Sequence, residues 1–569
     1  MSAALLEVKD LRVTFEYNKE NFCALKGVCF RLHRGEIVAV VGESGSGKTT
    51  LALALLQLFQ TRRAALTSGE ILLSIQGGET TDLLKSTESQ LAKIRGNVIS
   101  LVFQEPMSAL NPLMTCGTQI AESLIFHKKM SSTEAKAAVL QQLHIVQIAD
   151  PERIYNAFPH ELSGGEKQRV LIAVAICCNP ELIIADEATT AMDPLLEQEV
   201  IELFLKIKQE TGAALLVISH NMGLVSRFAD RIFVMNNGEM VEQGTALDIL
   251  GNPKNEYVRD LMSGIFISNR QNSNQSIKTA SSEKGSAVTR HKVKADRTQN
   301  ERLVLDRSEV LRLENIVVTH EQRTTRNTFS KMDKVALKNV GFTLHKGEIL
   351  GVVGPSGAGK TTLGKALLGF VKLSSGKIFF EGQQINSSDA ERERRFRKTV
   401  QMIFQDPGSS LNPAMPVGKA LLEPMKVHKI GTSDAVRQIK VSDLLLTVGL
   451  DPNLANRYPH QLSGGQRQRV AIARALSAEP AVLICDECVS SLDMRARAQI
   501  LTLLRELRDK LALSIVFISH DWSAVNFMAD RVLVMKNGEI VDSGTMEDLY
   551  SNPKSDYTRN VLKLLSEKN

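Results

Sequence analysis

Two stretches, Gly42 to Thr49 (GESGSGKT) and Gly354 to Thr361 (GPSGAGKT), decide how this chain is read. Each follows a short apolar run, Glu36 to Val41 or Glu348 to Val353, and each leads into a helical pattern starting near Gly47 or Gly359. A strand, a glycine-rich turn and a helix in that order make a phosphate-binding loop. The glycines let backbone N–H groups turn inward around anionic oxygens, and the helix N-terminus adds a favourable dipole. Gly42, Gly45, Ser46, Gly47 and Thr50, with Gly354, Gly357, Ala358, Gly359 and Thr362 in the second copy, are therefore expected to wrap the phosphates of ATP. Lys48 and Lys360 are expected to neutralise the β and γ phosphates, and the hydroxyls of Thr49 and Thr361 to hold Mg2+.

Working outward from the loops, the same motifs recur in the same order. The first half has FQEP around Gln104, LSGGE from Leu162, IIADE ending at Glu187 and VISH ending at His220. The second half has FQDP around Gln405, LSGGQ from Leu462, LICDE ending at Glu487 and FISH ending at His520. A repeat this long is a duplicated domain, since solenoid units recur every 20 to 50 or so residues. Asp186 and Asp486 each end an apolar strand, where a carboxylate reaches magnesium without being stranded in the core. Glu187 and Glu487 follow directly and are expected to polarise the attacking water as general bases. His220 and His520 are expected to sense the γ-phosphate; a lone histidine at a strand end is more often structural, but two at matching positions argue for the functional role.

A chain of 569 residues is too long for one hydrophobic core and suits two domains, 1–264 and 309–569, joined by a polar, basic linker over 265–308. Within each domain β-branched runs alternate with helical patterns, which predicts an α/β fold with a parallel sheet, and the segments from Gln104 to Leu162 and from Gln405 to Leu462 predict an inserted helical subdomain. The first domain is longer, with the extra residues expected between Thr61 and Lys93 as a surface-loop difference. The formal net charge is +6. Much of the excess lies between Arg270 and Arg307, where nine Lys or Arg stand against four Asp or Glu in a Ser-, Asn- and Gln-rich stretch. That composition marks a solvated tether, which at coil dimensions spans roughly 35 to 40 Å, and not a nucleic-acid surface. The run Glu391 to Lys398 (ERERRFRK) reads likewise as a mixed-charge helix face. No apolar run approaches the roughly 18 to 20 residues of a membrane span, and the N-terminus carries no secretory pattern, so a cytoplasmic location is expected. Seven cysteines show no disulfide framework, and Cys485 and Cys488, although spelling C-x-x-C, read as packing residues beside Asp486 and Glu487.

On these motifs, and on LSGG above all, both halves resemble the nucleotide-binding domain of ATP-binding cassette (ABC) transporters. The resemblance covers nearly the whole chain outside the linker. It implies two tandem P-loop NTPase domains, each a RecA-like core with an inserted helical subdomain and a smaller antiparallel β part. It implies head-to-tail pairing, in which Lys48, Thr49, Gln104, Asp186, Glu187 and His220 face Ser463, Gly464 and Gly465. Lys360, Thr361, Gln405, Asp486, Glu487 and His520 would then face Ser163, Gly164 and Gly165. Gln104 and Gln405 would complete the magnesium sets, and Asp193 and Asp493 would couple one site to the other.

A finer similarity is to the ATPases of oligopeptide, dipeptide and nickel or metallophore importers, through SALNP at Ser108 to Pro112, SSLNP at Ser409 to Pro413, and the tails NPKNEYVRDLM and NPKSDYTRNVL from Asn252 and Asn552. It implies two integral-membrane permease subunits and an extracytoplasmic substrate-binding protein as partners, no nucleic acid, and a peripheral position on the cytoplasmic face of the membrane. The chain departs from the pattern in three ways. Ala188 and Cys488 replace the usual proline after the glutamate. The adenine-stacking aromatic, Phe15 or Tyr17 in the first domain, aligns with His320 in the second. No cysteine lies beyond Cys178 or Cys488 in the respective domains, so no iron–sulfur cluster is expected. A ribosome-acting ABC protein is the competing reading, but it would carry a charged helical hairpin as linker and Asn-His-Leu-Asp after the strand, where this chain has TTAMD and VSSLD. A fused sugar-importer ATPase would tend to have one degenerate site, and both are complete here.

Overall fold

The computed structural model describes residues 4–17, 20–59, 65–75, 80–103, 109–188, 192–219, 221–259, 261, 308–322, 332–385, 389–490, 492 and 494–566. The linker, apart from Ser308, lies outside them, as do Gln104, His220 and Asp493; Tyr17 and His320 are described by backbone alone. The chain divides into two compact units, one built on Met1–Ile265 and the other on Phe266–Leu492 and Ala496–Asn569.

In the first unit the described strands are β1 (Ala4–Tyr17), β2 (Glu20–His33), β3 (Ile37–Val41), β4 (Ala65–Ser74), β5 (Thr80–Asp82), β6 (Ile99–Val102), β7 (Leu182–Asp186), β8 (Ala214–Ser219), β9 (Arg231–Asn236) and β10 (Glu239–Thr245). They form a four-stranded antiparallel sheet, β2-β1-β4-β5, and a six-stranded sheet, β10-β9-β3-β8-β7-β6, parallel except for β10. The central strands are buried on both faces, which is why they read as unbroken apolar runs. Ile37, Ala39 and Val41 of β3 enter one core cluster, and Val38 and Val40 enter the other, so the two-residue period of a strand feeds both layers. The helix Lys48–Leu55 seals one face with Leu51 and Leu55, both fully buried. Each such side chain contributes about 1.5–3 kcal/mol of burial.

The second unit repeats the plan with β11 (Glu309–Gln322), β12 (Met332–His345), β13 (Ile349–Val353), β14 (Ser375–Phe380), β15 (Gln383–Gln384), β16 (Val400–Ile403), β17 (Val482–Asp486), β18 (Ser514–Ile518), β19 (Arg531–Lys536) and β20 (Glu539–Gly544). Its sheets run β12-β11-β14-β15 and β16-β17-β18-β13-β19-β20. The length difference between units includes the region where it was expected, since β4 has 10 residues against 6 in β14. Between β6 and β7 lie the helices Cys116–Lys128, Ser132–Ile145 and Gly164–Ile176; between β16 and β17 lie Val417–Val427, Asp434–Thr447 and Gly464–Leu476. These are the inserted helical subdomains. Among the described residues no helix is long and apolar enough to cross a membrane.

The run Glu391 to Lys398 falls in helix Ala390–Thr399, where Phe396 is buried against Phe380 while Arg395 pairs with Glu381 and Arg397 with Glu393. It is a mixed-charge face with an apolar anchor. Cys485 and Cys488 are free and buried, and the Cys488 contact together with burial pushes the Cys485 thiol well up, which suits packing and not thiolate chemistry.

Candidate active sites

Each phosphate loop is shaped by contacts that only glycine permits. A Cβ on Gly42 would stand 2.2 Å from the Met235 carbonyl oxygen, and one on Gly354 would stand 2.1 Å from that of Met535. Gly47 and Gly359 cap the following helices with φ of 100° and 98°, a left-handed backbone that L side chains resist. The lysine that follows is nearly buried in both loops. Lys48 Nζ donates to the carbonyls of Gly42 and Glu43, each at 2.8 Å, and Lys360 Nζ donates to those of Gly354 at 2.8 Å and Pro355 at 3.0 Å. The ammonium is thus held beside the loop, poised over the space the loop encloses.

Behind the loop stand the strand-end carboxylates. Asp186 closes β7 and Asp486 closes β17, and both are buried. Thr49 Oγ1 donates to Asp186 Oδ1 at 3.4 Å, and Thr361 Oγ1 to Asp486 Oδ1 at 3.2 Å. Burial pushes each aspartate up to about 6, with the neighbouring glutamate's charge adding to the shift. A hydroxyl paired with a buried, under-neutralised carboxylate is a donor set that fits a hard divalent cation such as Mg2+, with Thr49 and Asp186, or Thr361 and Asp486, on the protein side.

The glutamate that follows adopts a conformation that sequence reading did not foresee. Glu187 and Glu487 both have φ of 47°, in the left-handed region, and their N–H groups donate to the Ile218 and Ile518 carbonyls at 3.0 and 2.9 Å. The end of the neighbouring strand thus holds the chain in a left-handed turn immediately after the aspartate. In the second unit the glutamate's partners are described: Gln405 Nε2 donates to Glu487 Oε2 at 2.9 Å, and His520 Nδ1 lies 3.4 Å from Glu487 Oε1. Burial pushes the Glu487 carboxyl up, but His520 and Lys360 outweigh it and hold the group below the usual range, which keeps it ionised. Gln405, Glu487 and His520 are thus brought together. Gln104 and His220 lie outside the described residues.

The LSGG segments lie at the start of the helices Gly164–Ile176 and Gly464–Leu476. Ser163 and Ser463 are exposed N-caps, taking the N–H of Glu166 and Gln466 respectively at 3.3 Å. Ser163 N donates back to Glu166 at 2.8 Å and Ser463 N to Gln466 at 3.0 Å. The S-x-x-E and S-x-x-Q spacing announces these capping boxes in the sequence itself. A Cβ on Gly164 or Gly464 would meet nothing within 4 Å, so the helix N-terminus is open to an incoming anion. Asp193 caps the helix Pro194–Thr211 through the N–H groups of Leu195 and Leu196, each at 3.2 Å, while Phe15 is half-buried edge-on to Phe59, at 5.7 Å between ring centroids.

These two constellations coincide with a known family: the model described as ABC transporter matches residues 25–190 and 337–490. The chain belongs to the ABC transporter family. Similarity to individual ABC proteins runs along nearly its whole length. The Glutathione import ATP-binding protein GsiA of Salmonella choleraesuis (strain SC-B67) is 38% identical over 563 residues, 99% of this chain and 89% of that protein. Its namesake in Escherichia coli (strain K12) is 38% identical over 568 residues, 98% of this chain and 89% of that protein. Among solved structures, a dimeric post-hydrolysis state of the ATP-binding cassette MJ0796 bound to ADP and Pi is 27% identical, covering 42% of this chain and 98% of that one, with a TM-score of 0.37. As an ABC ATPase with two fused cassettes, the chain binds and hydrolyses ATP.

Proposed function

We propose that this chain is the ATP-hydrolysing subunit of an importer for glutathione or a closely related small peptide. It would work at the cytoplasmic face of the membrane with two permease subunits and an extracytoplasmic substrate-binding protein. The cargo class is supported by relatives named as glutathione import ATPases that match almost end to end, whereas the sequence motifs leave peptide, metallophore and nickel open. In this reading ATP and Mg2+ occupy both phosphate loops. Lys48 or Lys360 balances the β and γ phosphates, Thr49 with Asp186 or Thr361 with Asp486 orients the metal, and Glu187 or Glu487 polarises water. His220 or His520 reports the γ-phosphate, and the open LSGG N-terminus of the other cassette, with Asp193 or Asp493, completes each site.

The observation that carries the reading is the Gln405–Glu487–His520 cluster: an ionised, half-buried carboxylate just past a strand end, held by two polar side chains and within the field of the phosphate-loop lysine Lys360. Phosphoryl transfer asks the protein mainly for placement and charge stabilisation, and this cluster supplies both. The function is tested by tagging the protein, extracting membranes in mild detergent and identifying co-purifying chains, together with uptake of labelled glutathione by cells with and without this protein. Two polytopic permeases in equal amounts and loss of uptake are expected. Ribosomal proteins in place of permeases would overturn the transport reading, and uptake of another solute alone would overturn the cargo.

A further inference from the structure

The second cassette contains an ion pair with no counterpart of the same charge in the first. Arg497, in helix Met494–Leu511, donates from Nη1 to Asp521 Oδ2 at 2.7 Å, with both side chains about three-quarters buried (25% and 22% exposed). Asp521 directly follows His520. Its other oxygen, Oδ1, caps the helix Trp522–Met528 through the N–H groups of Ser523 at 2.9 Å and Ala524 at 3.2 Å. Its own N–H is held by Ser519 Oγ at 3.0 Å, and Ser519 N donates to the Val352 carbonyl beside the phosphate loop, also at 3.0 Å. Every polar group of Asp521 named here is therefore committed, and the residue ties three things together: the helix after the coupling loop, the helix after the histidine, and the strand leading into the phosphate loop.

In the first cassette the corresponding residues are Glu197 and Asn221. Asn221 repeats the Ser219 contact at 3.0 Å, but its amide oxygen caps a shorter helix, Met222–Val225, through Leu224 N alone at 3.1 Å. A neutral Asn and a Glu cannot form the ion pair that Arg and Asp make.

We infer that Arg497 is a positioning residue for the second ATP site. By fixing Asp521 it holds His520 within 3.4 Å of Glu487, so that the histidine and the carboxylate keep one geometry through the cycle. In this account Arg497 acts only through the 519–521 segment. The inference rests on the roles proposed above for Glu487 and His520.

The test uses the full-length chain and steady-state ATPase kinetics. Arg497→Gln is expected to lower turnover at the second site about fivefold, the size that a partly buried charge-assisted contact supports, read as a fall in total kcat of about 40% where the two sites contribute equally, with the KM for ATP essentially unchanged. Arg497→Lys should restore most of the rate. Asp521→Asn, which keeps the helix cap and removes the charge, should reproduce the loss, and the double variant Arg497→Gln, Asp521→Asn should be no slower than either single one. Wild-type kcat in Arg497→Gln, losses that multiply in the double variant, or a change confined to KM would each overturn the inference. His520→Ala is measured alongside: if it leaves kcat intact, the assigned role of His520 fails, a result separate from the coupling of Arg497 to Asp521.

Discussion

The two cassettes agree in the lysine, threonine, aspartate and glutamate of each candidate site and differ in residues around them. Lysine, threonine, aspartate and the left-handed glutamate superpose in type and in contact: the threonine-to-aspartate distances are 3.4 and 3.2 Å, and φ at both glutamates is 47°. The supporting residues diverge. Ser46 lies 3.4 Å from Lys48 Nζ, whereas Ala358 stands at that position in the second loop. Glu166 of LSGGE combines its cap with an ion pair to Arg153, while Gln466 of LSGGQ caps without charge. Arg497 and Asp521 in the second cassette answer Glu197 and Asn221 in the first. If both candidate sites hydrolyse ATP, these differences around them mean that the two halves need not turn over at the same rate.

The largest effect that sharpens this comparison comes from the glutamates. Glu187→Gln and Glu487→Gln together should cut ATPase kcat by at least about 100-fold while ATP binding survives, because the base is lost and the phosphate cradle is not. Brisk turnover in that double variant, measured by phosphate release, would sink both assignments. Next comes the loop backbone. Gly359→Ala places a Cβ 2.6 Å from the Ala336 carbonyl at φ of 98°, and Gly47→Ala places one 2.9 Å from the Ala24 carbonyl at 100°. Both should lose nucleotide binding by at least about tenfold in equilibrium titration, with Gly359→Ala the worse.

A smaller effect separates function from stability. Burial raises Asp186 to about 6, above the ordinary carboxylate value of 3.8, so the folded form binds the proton more tightly than the unfolded one. Without nucleotide or metal, stability should therefore fall as pH rises from about 4 through 6, and the cost is fully in place at pH 7.5. Asp186→Asn should remove its share of that slope and stabilise the nucleotide-free protein by roughly 1–3 kcal/mol, read as a higher melting temperature, while abolishing the stabilisation that Mg-ATP gives through the first site. A variant that melts lower than the parent at pH 7.5 would contradict the buried-charge account. Asp486→Asn should behave alike, and a marked difference between the two would move the asymmetry into the metal site itself.

Much of this was legible in sequence because the signals are local. The strand-loop-helix around Lys48 and Lys360, the apolar strands ending in Asp186 and Asp486, and the S-x-x-E and S-x-x-Q caps each occupy a few consecutive residues whose types are dictated by backbone geometry. What escaped the sequence is non-local or conformational. The left-handed turn at Glu187 and Glu487 depends on a hydrogen bond to Ile218 or Ile518, some 31 residues on, and glutamate carries no propensity that announces it. The Arg497–Asp521 pair joins residues 24 apart on two different helical segments, so nothing in the spelling singles it out. Packing of Phe15 on Phe59 is equally unreadable, since an aromatic on a strand has the same appearance whether it meets a base or the core.

The smallest expected effect probes the signature helices. In the first cassette Glu166 holds Ser163 N and Oγ, each at 2.8 Å, and pairs with Arg153; its carboxyl, pushed up by burial, is pulled below the usual range by the Ser163 and Arg153 contacts. A negative charge at the N-terminus of a helix stabilises the helix and opposes an anion arriving at the same end. Glu166→Gln, which copies the second cassette, should therefore cost at most about 1 kcal/mol in thermal stability, because a half-exposed ion pair is replaced by a neutral cap. If the Ser163 segment receives a γ-phosphate, the same change should lower the KM for ATP, and Gln466→Glu should raise it in mirror image. Matched changes in stability with no opposed shift in KM would confine Glu166 to capping and take the signature helices out of the account of why the two halves differ.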